Sequence, residues 1–268
     1  MLSFVTLSLL SIMPAQAKNP VLRKGQMGIV AHRGFWNCEE AGYAKNSVAA
    51  LRCAQENGFW GSEFDVNMTS DGVLIVFHDD KVNGKKIEKH PYSEFKDITI
   101  ANGETIPTLD QYLEQGLKFP QTMLVYELKP HSSKEVEDKF VELTIAKLKE
   151  YNLLNPKRVM FISFSYHMCC RIAELLPDFT VQYLNGEKSP HKVNEDGVNG
   201  IDYHYGIYAL KSKWADEARE LKMTTNIWTV NDEDKMRDAI KQGIMYITTD
   251  YPLEARKVIE EEGIKEVE

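Results

Sequence analysis

Short runs rich in β-branched and aromatic residues alternate with amphipathic, helix-like runs through most of this 268-residue chain. This alternation is typical of βαβ units, in which a helix connects two parallel strands. Single (β/α)₈ barrels have about 250 residues, so one large domain suits the length. The pattern therefore predicts an α/β fold, a (β/α)₈ TIM barrel. The β-rich runs are Met27–Ala31, Phe59–Val66, Val73–Phe77, Met123–Leu128, Val159–Phe164, Thr180–Leu184, Ile201–His204, Thr225–Val230 and Met245–Thr248.

The helix-like runs carry residues that begin and end helices. The first opens with a capping residue, Asn46 or Ser47. The last two open at Asn231/Asp232 and just after Pro252, and glycine follows each of them. The predicted helices are Ser47–Asn57, Leu109–Gln115, Ser133–Tyr151, Tyr166–Leu176, Lys213–Lys222, Asp232–Gln242 and Leu253–Glu262.

The nine β-rich runs are one more than an eight-stranded barrel needs. Asp71-Gly72 stands between two of them, and Asp-Gly in that place is a strong hairpin signal. We therefore expect Val73–His78 to fold back antiparallel on Phe59–Val66, which leaves eight strands for the barrel. A two-residue turn makes the numbers of paired residues sum to about 143. His78 is then expected opposite Asp65.

Residues 80–108 break the alternation, because they are polar, turn-rich and without a sustained period. We interpret them as an inserted loop or small subdomain above the barrel mouth, where barrel insertions usually carry substrate contacts. A solvated excursion with no role is the alternative.

The formal net charge of −8 and the pI near 5.5 bear on possible partners. No basic run interleaved with aromatics is present, which argues against a nucleic-acid partner. The acidity also argues against attachment to anionic membranes by charge alone. A small phosphodiester stays compatible, since a bound cation can reverse the local potential.

Residues 1–17 carry no charge and end in Ala15-Gln16-Ala17, a small-residue cleavage site. This pattern indicates a secretory signal peptide, with a mature barrel domain of residues 18–268 in the periplasm or secreted. The stretch is too short and too interrupted for stable membrane insertion. A disordered or cloning-derived leader is the alternative.

Four cysteines do not make a disulfide framework in a chain this long. Cys38 and Cys53 could pair in an oxidising compartment or stay unpaired. The neighbouring Cys169 and Cys170 lie in an apolar helical context and are expected to be buried. Neither pair has zinc ligands at useful spacing.

Polar residues follow the first strand runs at their carboxyl ends, which form the catalytic face of a TIM barrel. Glu63 and Asp65 lie two apart on one strand, so both side chains point to the same face. With Glu127 they supply three hard oxygen ligands, which suit one divalent cation, Mg²⁺ or Ca²⁺. That cation would also relieve the repulsion between the carboxylates. The four strand-end motifs are His32-Arg33-Gly34, Glu63-Phe64-Asp65, His78-Asp79-Asp80 and Glu127-Leu128-Lys129.

The same residues match the needs of phosphodiester cleavage. The histidine side chain as a type titrates near neutrality, so His32 and His78 can serve as base and acid on opposite sides of the phosphorus. Arg33 and Lys129 can neutralise charge on the equatorial oxygens. Taken singly, each motif could be a strand cap, a solvated strand face, a turn or a surface ion pair. Their occurrence in strand order at strand ends favours a functional site.

The sequence resembles the glycerophosphodiester phosphodiesterase family, in the wider superfamily of barrel phospholipases C. The resemblance extends from about Met27 to Pro252. It rests on AHRGFWN, KNSVAALRCAQENG, GSEFDVNMTSDGVLIVFHDD, ELKP, NIWTVND and YITTDYP.

The resemblance implies hydrolysis of small glycerophosphodiesters to an alcohol and glycerol 3-phosphate, with a free hydroxyl able to attack first and form a cyclic phosphate. It implies that Asn46 lies near the metal or phosphate, and that Trp228 walls the glycerol pocket, although ordinary barrel packing would also explain Trp228. Lys45 stands where the family commonly has an acid, which leaves the substrate preference open. The implied site comprises catalytic His32 and His78, metal ligands Glu63, Asp65 and Glu127, and phosphate contacts Arg33 and Lys129.

Two other functions remain compatible with this pattern. A phospholipase D or sphingomyelinase-type enzyme on the same barrel would act on intact lipids, although residues 80–108 are too polar to favour docking on a bilayer. A non-catalytic binding barrel would have lost an acid, base or ligand position, and none is lost. The head group and the oligomeric state are not defined by the sequence.

Overall fold

The computed structural model describes residues 25–267, and eight parallel strands among them close into a barrel surrounded by helices. The ring runs in chain order, and its first strand, Gln26–Ala31, pairs with both Gly61–Met68 and Tyr246–Thr249 to close it. The prediction of a TIM barrel is confirmed. The strands are β1 Gln26–Ala31, β2 Gly61–Met68, β3 Leu74–Val76, β4 Lys81–Val82, β5 Lys85–Lys86, β6 Met123–Leu128, β7 Val159–Ser163, β8 Val181–Tyr183, β9 Gly200–His204, β10 Thr224–Trp228, β11 Tyr246–Thr249 and β12 Lys265–Val267.

The helices begin where the sequence supplies a cap. Ser47 accepts the amide N–H of Ala50 and Asp232 that of Lys235, each through its side chain. Two helices that the sequence did not predict, Pro190–Glu195 and Tyr205–Leu210, have only six residues each, too few to show a helical period in the sequence. The helices are α1 Val48–Glu56, α2 Leu109–Gly116, α3 Lys134–Glu150, α4 Tyr166–Leu175, α5 Pro190–Glu195, α6 Tyr205–Leu210, α7 Trp214–Glu220, α8 Glu233–Lys241 and α9 Pro252–Glu261.

Apolar side chains such as Val30, Val125 and Ile162 fill much of the barrel interior, together with the buried polar side chains of Gln182, Asp202 and Asn226. Val125 of β6 packs in the interior cluster, whereas Leu124 and Tyr126 pack outward against the helices. Because side chains alternate along a strand, Glu127 shares the inward face of Val125, one step nearer the rim. On the inward face of β6, the apolar side chain of Val125 is therefore followed at the rim by the carboxylate of Glu127.

The hairpin forms, but its register differs by one residue from the prediction. Val66 pairs with Val76 and Met68 with Leu74, so the paired numbers sum to 142 instead of about 143. Thr69 closes a three-residue loop onto Val73, because its hydroxyl and amide both bond there. Phe77, not His78, consequently donates its amide to the carbonyl of Asp65.

Residues 80–108 have a small core of their own. Val82, Ile87, Phe95 and Ile106 are buried together against Ile75. The carboxylate of Glu104 in this segment accepts the amide N–H groups of residues 48 and 49, at the N-terminus of α1. The segment therefore stabilises the helix that follows the first strand-end motif.

The signal peptide, residues 1–17, and the mature start near Lys18 lie outside the described residues.

All four cysteines are free, and Cys169 is fully buried whereas Cys170 is partly exposed. Burial and the adjacent Cys38 thiol raise the pKa of Cys53 to about 12. No helix among residues 25–267 has the length and apolarity to cross a bilayer.

Candidate active site

Three carboxylates converge inside the carboxyl-terminal rim of the barrel. Glu63 and Asp65 of β2 and Glu127 of β6 each offer an oxygen, and these oxygens lie within 4.8 Å of one another. Their exposed fractions are only 2%, 1% and 7%. Strand register explains the meeting, because β2 and β6 are neighbours and Asp65 is directly level with Glu127.

Two cations face these carboxylates. The ammonium of Lys129 lies 2.7 Å from Glu127 Oε1 and 3.2 Å from Asp65 Oδ1. The guanidinium of Arg33 lies 3.6 Å from Asp65 Oδ2. Three acids against two bases leave one net negative charge in a buried place. Such a cluster favours either a bound proton or a further cation.

The pKa shifts express this imbalance. Burial, with the charges of Asp65 and Glu127, raises the pKa of Glu63 well above its ordinary value. Burial and the charge of Asp65 raise the pKa of Glu127 to about 7, although Lys129 opposes the shift. Burial is the largest influence on Asp65 and would raise its pKa, but the charges of Lys129, His78 and Arg33 and the hydrogen bond from Asn46 together lower it.

Glu63 has one oxygen that fits a metal ion. Its Oε2 accepts the amide N–H of Arg33 at 2.7 Å, whereas the buried Oε1 has no hydrogen-bond partner among the described residues. A buried carboxylate oxygen without a partner is costly unless something binds it. The donor set of three carboxylates matches hard divalent cations such as Mg²⁺ and Ca²⁺.

Unusual backbone conformations hold Arg33 and Asn46 beside the carboxylates. Both have positive φ, 56° and 59°, which costs free energy in residues other than glycine. The amide of Arg33 thereby reaches Glu63, and the Asn46 side chain donates to Asp65 Oδ2 at 2.8 Å. Asn46 does not cap α1, since Ser47 does. The side chain of Asn46 is therefore available to orient Asp65.

His32 is held by a residue that the sequence analysis did not single out, Asp250. Asp250 Oδ1 lies 2.8 Å from His32 Nδ1 and accepts the indole N–H of Trp36 at 2.9 Å. The side chain of Asn231 donates to Oδ2 at 2.7 Å. Burial alone would raise the pKa of Asp250, but these partners, His32 first, hold it well below its ordinary value.

Asp250 is therefore ionised and can only accept. His32 Nδ1 must carry the hydrogen, which leaves Nε2 free for chemistry. The sequence did contain one signal for Asp250, namely its position. It directly follows the last barrel strand, just as the other polar motifs follow their own strands.

His78 also has a carboxylate on its Nδ1, since Asp79 Oδ1 lies 2.7 Å away. Burial lowers the pKa of His78, although the charge of Asp65 opposes this. The side chain of His78 is 41% exposed, against 18% for that of His32. His78 therefore lies close enough to the cluster to interact with the charge of Asp65, His32 directly precedes Arg33, whose amide binds Glu63, and the two imidazoles differ in their access to water.

Trp228 lies among aromatic side chains at the same rim. Its ring meets those of Phe164 and His204 edge to face, at 5.4 and 5.1 Å between centroids. Its indole N–H donates to the backbone carbonyl of Asp202 at 2.9 Å. Lys129 Nζ lies 5.9 Å from the Phe164 ring, which connects this aromatic group to the carboxylates.

The loop after β1 depends on Gly34, and this gives a prediction about stability. Gly34 has φ 77°, and an added Cβ would lie 2.7 Å from the backbone carbonyl carbon of Ala50. We expect Gly34→Ala to cost about 3 kcal/mol of unfolding free energy, from backbone strain plus overpacking. Gly58 has φ 66° with nothing within 4 Å of a Cβ. Gly58→Ala should then cost only about 1 kcal/mol. Equal losses for both variants in urea unfolding would contradict this account.

Comparisons with known proteins agree on one family. The model of the glycerophosphoryl diester phosphodiesterase family matches residues 32–254. A glycerophosphodiester phosphodiesterase of Bacillus subtilis is 27% identical over 92% of this chain and 93% of its own. The crystal structure of a glycerophosphodiester phosphodiesterase from Parabacteroides distasonis is 40% identical, with a TM-score of 0.86 over 90% of this chain and 99% of its own.

A more distant structure shares the fold. It is a phosphodiesterase of Oleispira antarctica in complex with its product, sn-glycerol-3-phosphate, with a TM-score of 0.73 and 23% identity. The aligned region covers 87% of this chain and 96% of that one.

Proposed function

Because the chain belongs to the glycerophosphoryl diester phosphodiesterase family, we propose that it cleaves glycerophosphodiesters by acid–base catalysis of His32 and His78 beside one bound divalent cation. Glycerophosphodiester phosphodiesterase activity follows from the family. The observation that supports the finer proposal is a buried three-carboxylate cluster, one oxygen of which has no hydrogen-bond partner among residues 25–267, together with two histidines near strand ends of the same rim, each with its Nδ1 bonded to a carboxylate.

The cation would be held by Glu63, Asp65 and Glu127. When bound, it supplies Lewis-acid polarisation of a non-bridging phosphate oxygen and relieves the repulsion among the three acids. With Arg33 and Lys129 the cluster then carries a net charge of one positive unit. That charge attracts the singly negative phosphodiester, whereas the same cluster without the ion would repel it.

The histidines move the protons. Each has its Nδ1 bonded to a carboxylate, so Nε2 is the nitrogen available to the substrate. One imidazole takes the proton of the attacking hydroxyl, and the other gives a proton to the leaving alcohol oxygen. The attacking group is water or a free hydroxyl of the glycerol, and a cyclic phosphate formed in the second case is opened by water. The net reaction consumes one water and yields an alcohol and glycerol 3-phosphate.

The other side chains orient and neutralise. Lys129 and Arg33 lie on the carboxylates and are available to the equatorial phosphate oxygens. Asn46 fixes Asp65. Trp228 and Phe164 form an apolar wall suited to the carbon skeleton of glycerol. The Oleispira enzyme, whose complex holds sn-glycerol-3-phosphate, supports this choice of product by analogy of fold.

Turnover and chelation test the proposal. Purified protein incubated with glycerophosphoglycerol should release glycerol 3-phosphate, measured by a coupled dehydrogenase assay. EDTA should reduce the rate by about 10³-fold or more, since several kcal/mol of charge stabilisation is lost, and Mg²⁺ or Ca²⁺ should restore it. Comparing the two ions identifies the better one. Full activity after chelation would contradict the metal requirement.

Action on intact lipids is the second candidate. It would need an apolar rim, and residues 81, 83, 85–86 and 88–89 near the barrel mouth are polar. We therefore assign small diesters rather than bilayers. Cosedimentation with sphingomyelin or phosphatidylcholine vesicles, accompanied by release of a lipid product, would reverse the assignment.

Export is part of the proposal. The uncharged leader ending in Ala15-Gln16-Ala17 supports cleavage near Ala17 and a periplasmic or secreted protein. Expression of the full chain in a bacterium with fractionation and N-terminal sequencing should give an extracytoplasmic product that begins near Lys18. A product that keeps residues 1–17 in the cytoplasm would overturn this.

A further inference from the structure

Two lysines lie over aromatic rings at the rim of the proposed active site. Lys45 Nζ is 4.3 Å from the centroid of the Trp36 ring, and Lys235 Nζ is 4.3 Å from that of the Tyr205 ring. Both lysines are exposed, and neither ammonium has an ion-pair partner among residues 25–267. An ammonium held over a ring but without a carboxylate is available to an anion.

Lys45 is close to the proposed chemistry through two contacts. The Trp36 ring beneath it donates its indole N–H to Asp250 Oδ1, the same oxygen that holds His32. The next residue, Asn46, bonds to Asp65. The Trp36 ring and the Asp250 carboxylate therefore connect the ammonium of Lys45 to His32. Lys45 is also adjacent in sequence to Asn46, which binds the carboxylate cluster.

Lys235 is connected to the same site by a series of aromatic rings in contact with one another. Tyr205 packs on His204 with 4.0 Å between centroids, and His204 meets Trp228 at 5.1 Å. Lys235 also lies in the first turn of α8, and Asn231, just before that helix, donates to Asp250. Both lysines thus border the region around Asp250.

Aromatic faces at such a rim are where a quaternary ammonium head group would bind by cation–π contact. Here the chain's own ammonium groups cover the faces of Trp36 and Tyr205. The nearby carboxylate of Asp250 is already bonded by His32, Trp36 and Asn231. A cationic head group therefore meets an ammonium at the face of each ring, whereas an anionic one is attracted there, even though Asp232, Glu233 and Asp234 precede Lys235 in the chain.

We propose that Lys45 and Lys235 select glycerophosphodiesters whose second alcohol is anionic, in particular one bearing a phosphate, and disfavour cationic ones such as choline. This rests on the proposed hydrolytic function and names its substrate class. Exposed charges act through a high dielectric, so we expect each lysine to change kcat/KM by about 3- to 10-fold at low salt. The selection should weaken as ionic strength rises.

Two matched substrate pairs test the charge preference. Glycerophosphoinositol 4-phosphate and glycerophosphoinositol differ by one phosphate, and glycerophosphocholine differs from its 3,3-dimethylbutyl isostere by one positive charge. The protein should have the higher kcat/KM for the phosphorylated inositol and the lower one for choline. Preference for choline over its neutral isostere would overturn the proposal.

Variants assign the preference to the two side chains. Lys45→Gln and Lys235→Gln should each reduce the phosphate-dependent ratio of kcat/KM, and together they should bring both ratios near one. Lys241→Gln is the matched control, because Lys241 is an exposed lysine at the far end of α8. It removes the same charge and should leave the ratios unchanged. Equal effects of all three variants would mean that the preference depends only on the net charge of the protein. That result would contradict its assignment to Lys45 and Lys235.

A binding measurement separates this inference from the hydrolytic proposal. Calorimetry with a His78→Gln variant in Mg²⁺ should give a lower Kd for glycerophosphoinositol 4-phosphate than for glycerophosphoinositol, and Lys45→Gln should remove the difference. If this pattern holds but no diester is cleaved by the unmodified protein, the hydrolytic proposal fails and the charge selection stands. If diesters are cleaved with no difference in Kd or kcat/KM, the charge selection fails.

Discussion

Replacement of Glu63 by glutamine is expected to lower the kcat/KM for a glycerophosphodiester by about 10³-fold or more. The glutamine side chain would keep the shape of the glutamate but lose its negative charge, so the proposed metal site would keep two carboxylates against Arg33 and Lys129. The divalent cation then loses its electrostatic advantage, and several kcal/mol of transition-state stabilisation goes with it.

The same substitution should act in the opposite direction on stability. In metal-free protein Glu63 Oε1 is buried without a partner among the described residues, and burial raises the pKa of this carboxyl group. Removing an uncompensated buried charge commonly stabilises a fold. We therefore expect metal-free Glu63→Gln to unfold at an equal or higher urea concentration than the unsubstituted protein. Added Mg²⁺ or Ca²⁺ should stabilise the unsubstituted protein and not the variant.

Glu137→Gln is the matched control for neutralising a buried acid. Glu137 is 6% exposed, but it accepts hydrogen bonds from the amide of His131 and the hydroxyl of Ser165, away from the cluster. It should lose stability and keep both metal binding and turnover. A Glu63→Gln variant with full activity and unchanged metal stabilisation would remove this carboxylate from the proposed site.

Replacement of His32 by alanine is expected to lower kcat by about 10²- to 10⁴-fold, the usual contribution of a positioned acid or base. Metal stabilisation of the fold should remain, because His32 is not among the proposed ligands. Alanine at the exposed His191 is the control and should leave kcat unchanged. Full turnover by His32→Ala would refute the role assigned to this imidazole.

Asp250→Asn tests whether the carboxylate acts through His32. Asparagine would replace one carboxylate oxygen by an NH₂ group, which cannot accept the hydrogen bonds that His32, Trp36 and Asn231 now donate to Asp250. The imidazole of His32 would therefore lose its orientation. We expect kcat to fall by about 10- to 100-fold with little change in KM, and the His32→Ala/Asp250→Asn double variant to be no slower than His32→Ala. Additive losses in the double variant would mean that Asp250 acts independently of His32.

The order and type of the barrel strands were predictable from local pattern. Strand runs such as Met123–Leu128 are buried and mainly apolar, with Glu127 as the polar exception near the rim, and the helix-like runs between the strands have a 3.6-residue period. The pairing of Glu63 with Asp65 on one face followed from the two-residue period of a strand alone. The hairpin was also foreseeable, but its register was not. Side-chain bonds of Thr69 set the turn length, and no propensity expresses them.

Long-range partners were beyond any local pattern. Asp250 reaches His32 across 218 residues because β1 and β11 are neighbours only once the barrel closes. The position of Glu63 Oε1, which lacks a partner in the part of the chain that the structure describes, and the rings beneath Lys45 and Lys235 likewise depend on how separate loops meet at one rim. Residue types and spacing thus specified the strands and the kinds of chemistry available. Closure of the sheet brought distant side chains within a few ångströms of one another. This proximity determines which nitrogen of His32 carries the proton, how the charges of the carboxylate cluster are balanced and how exposed the site is to water.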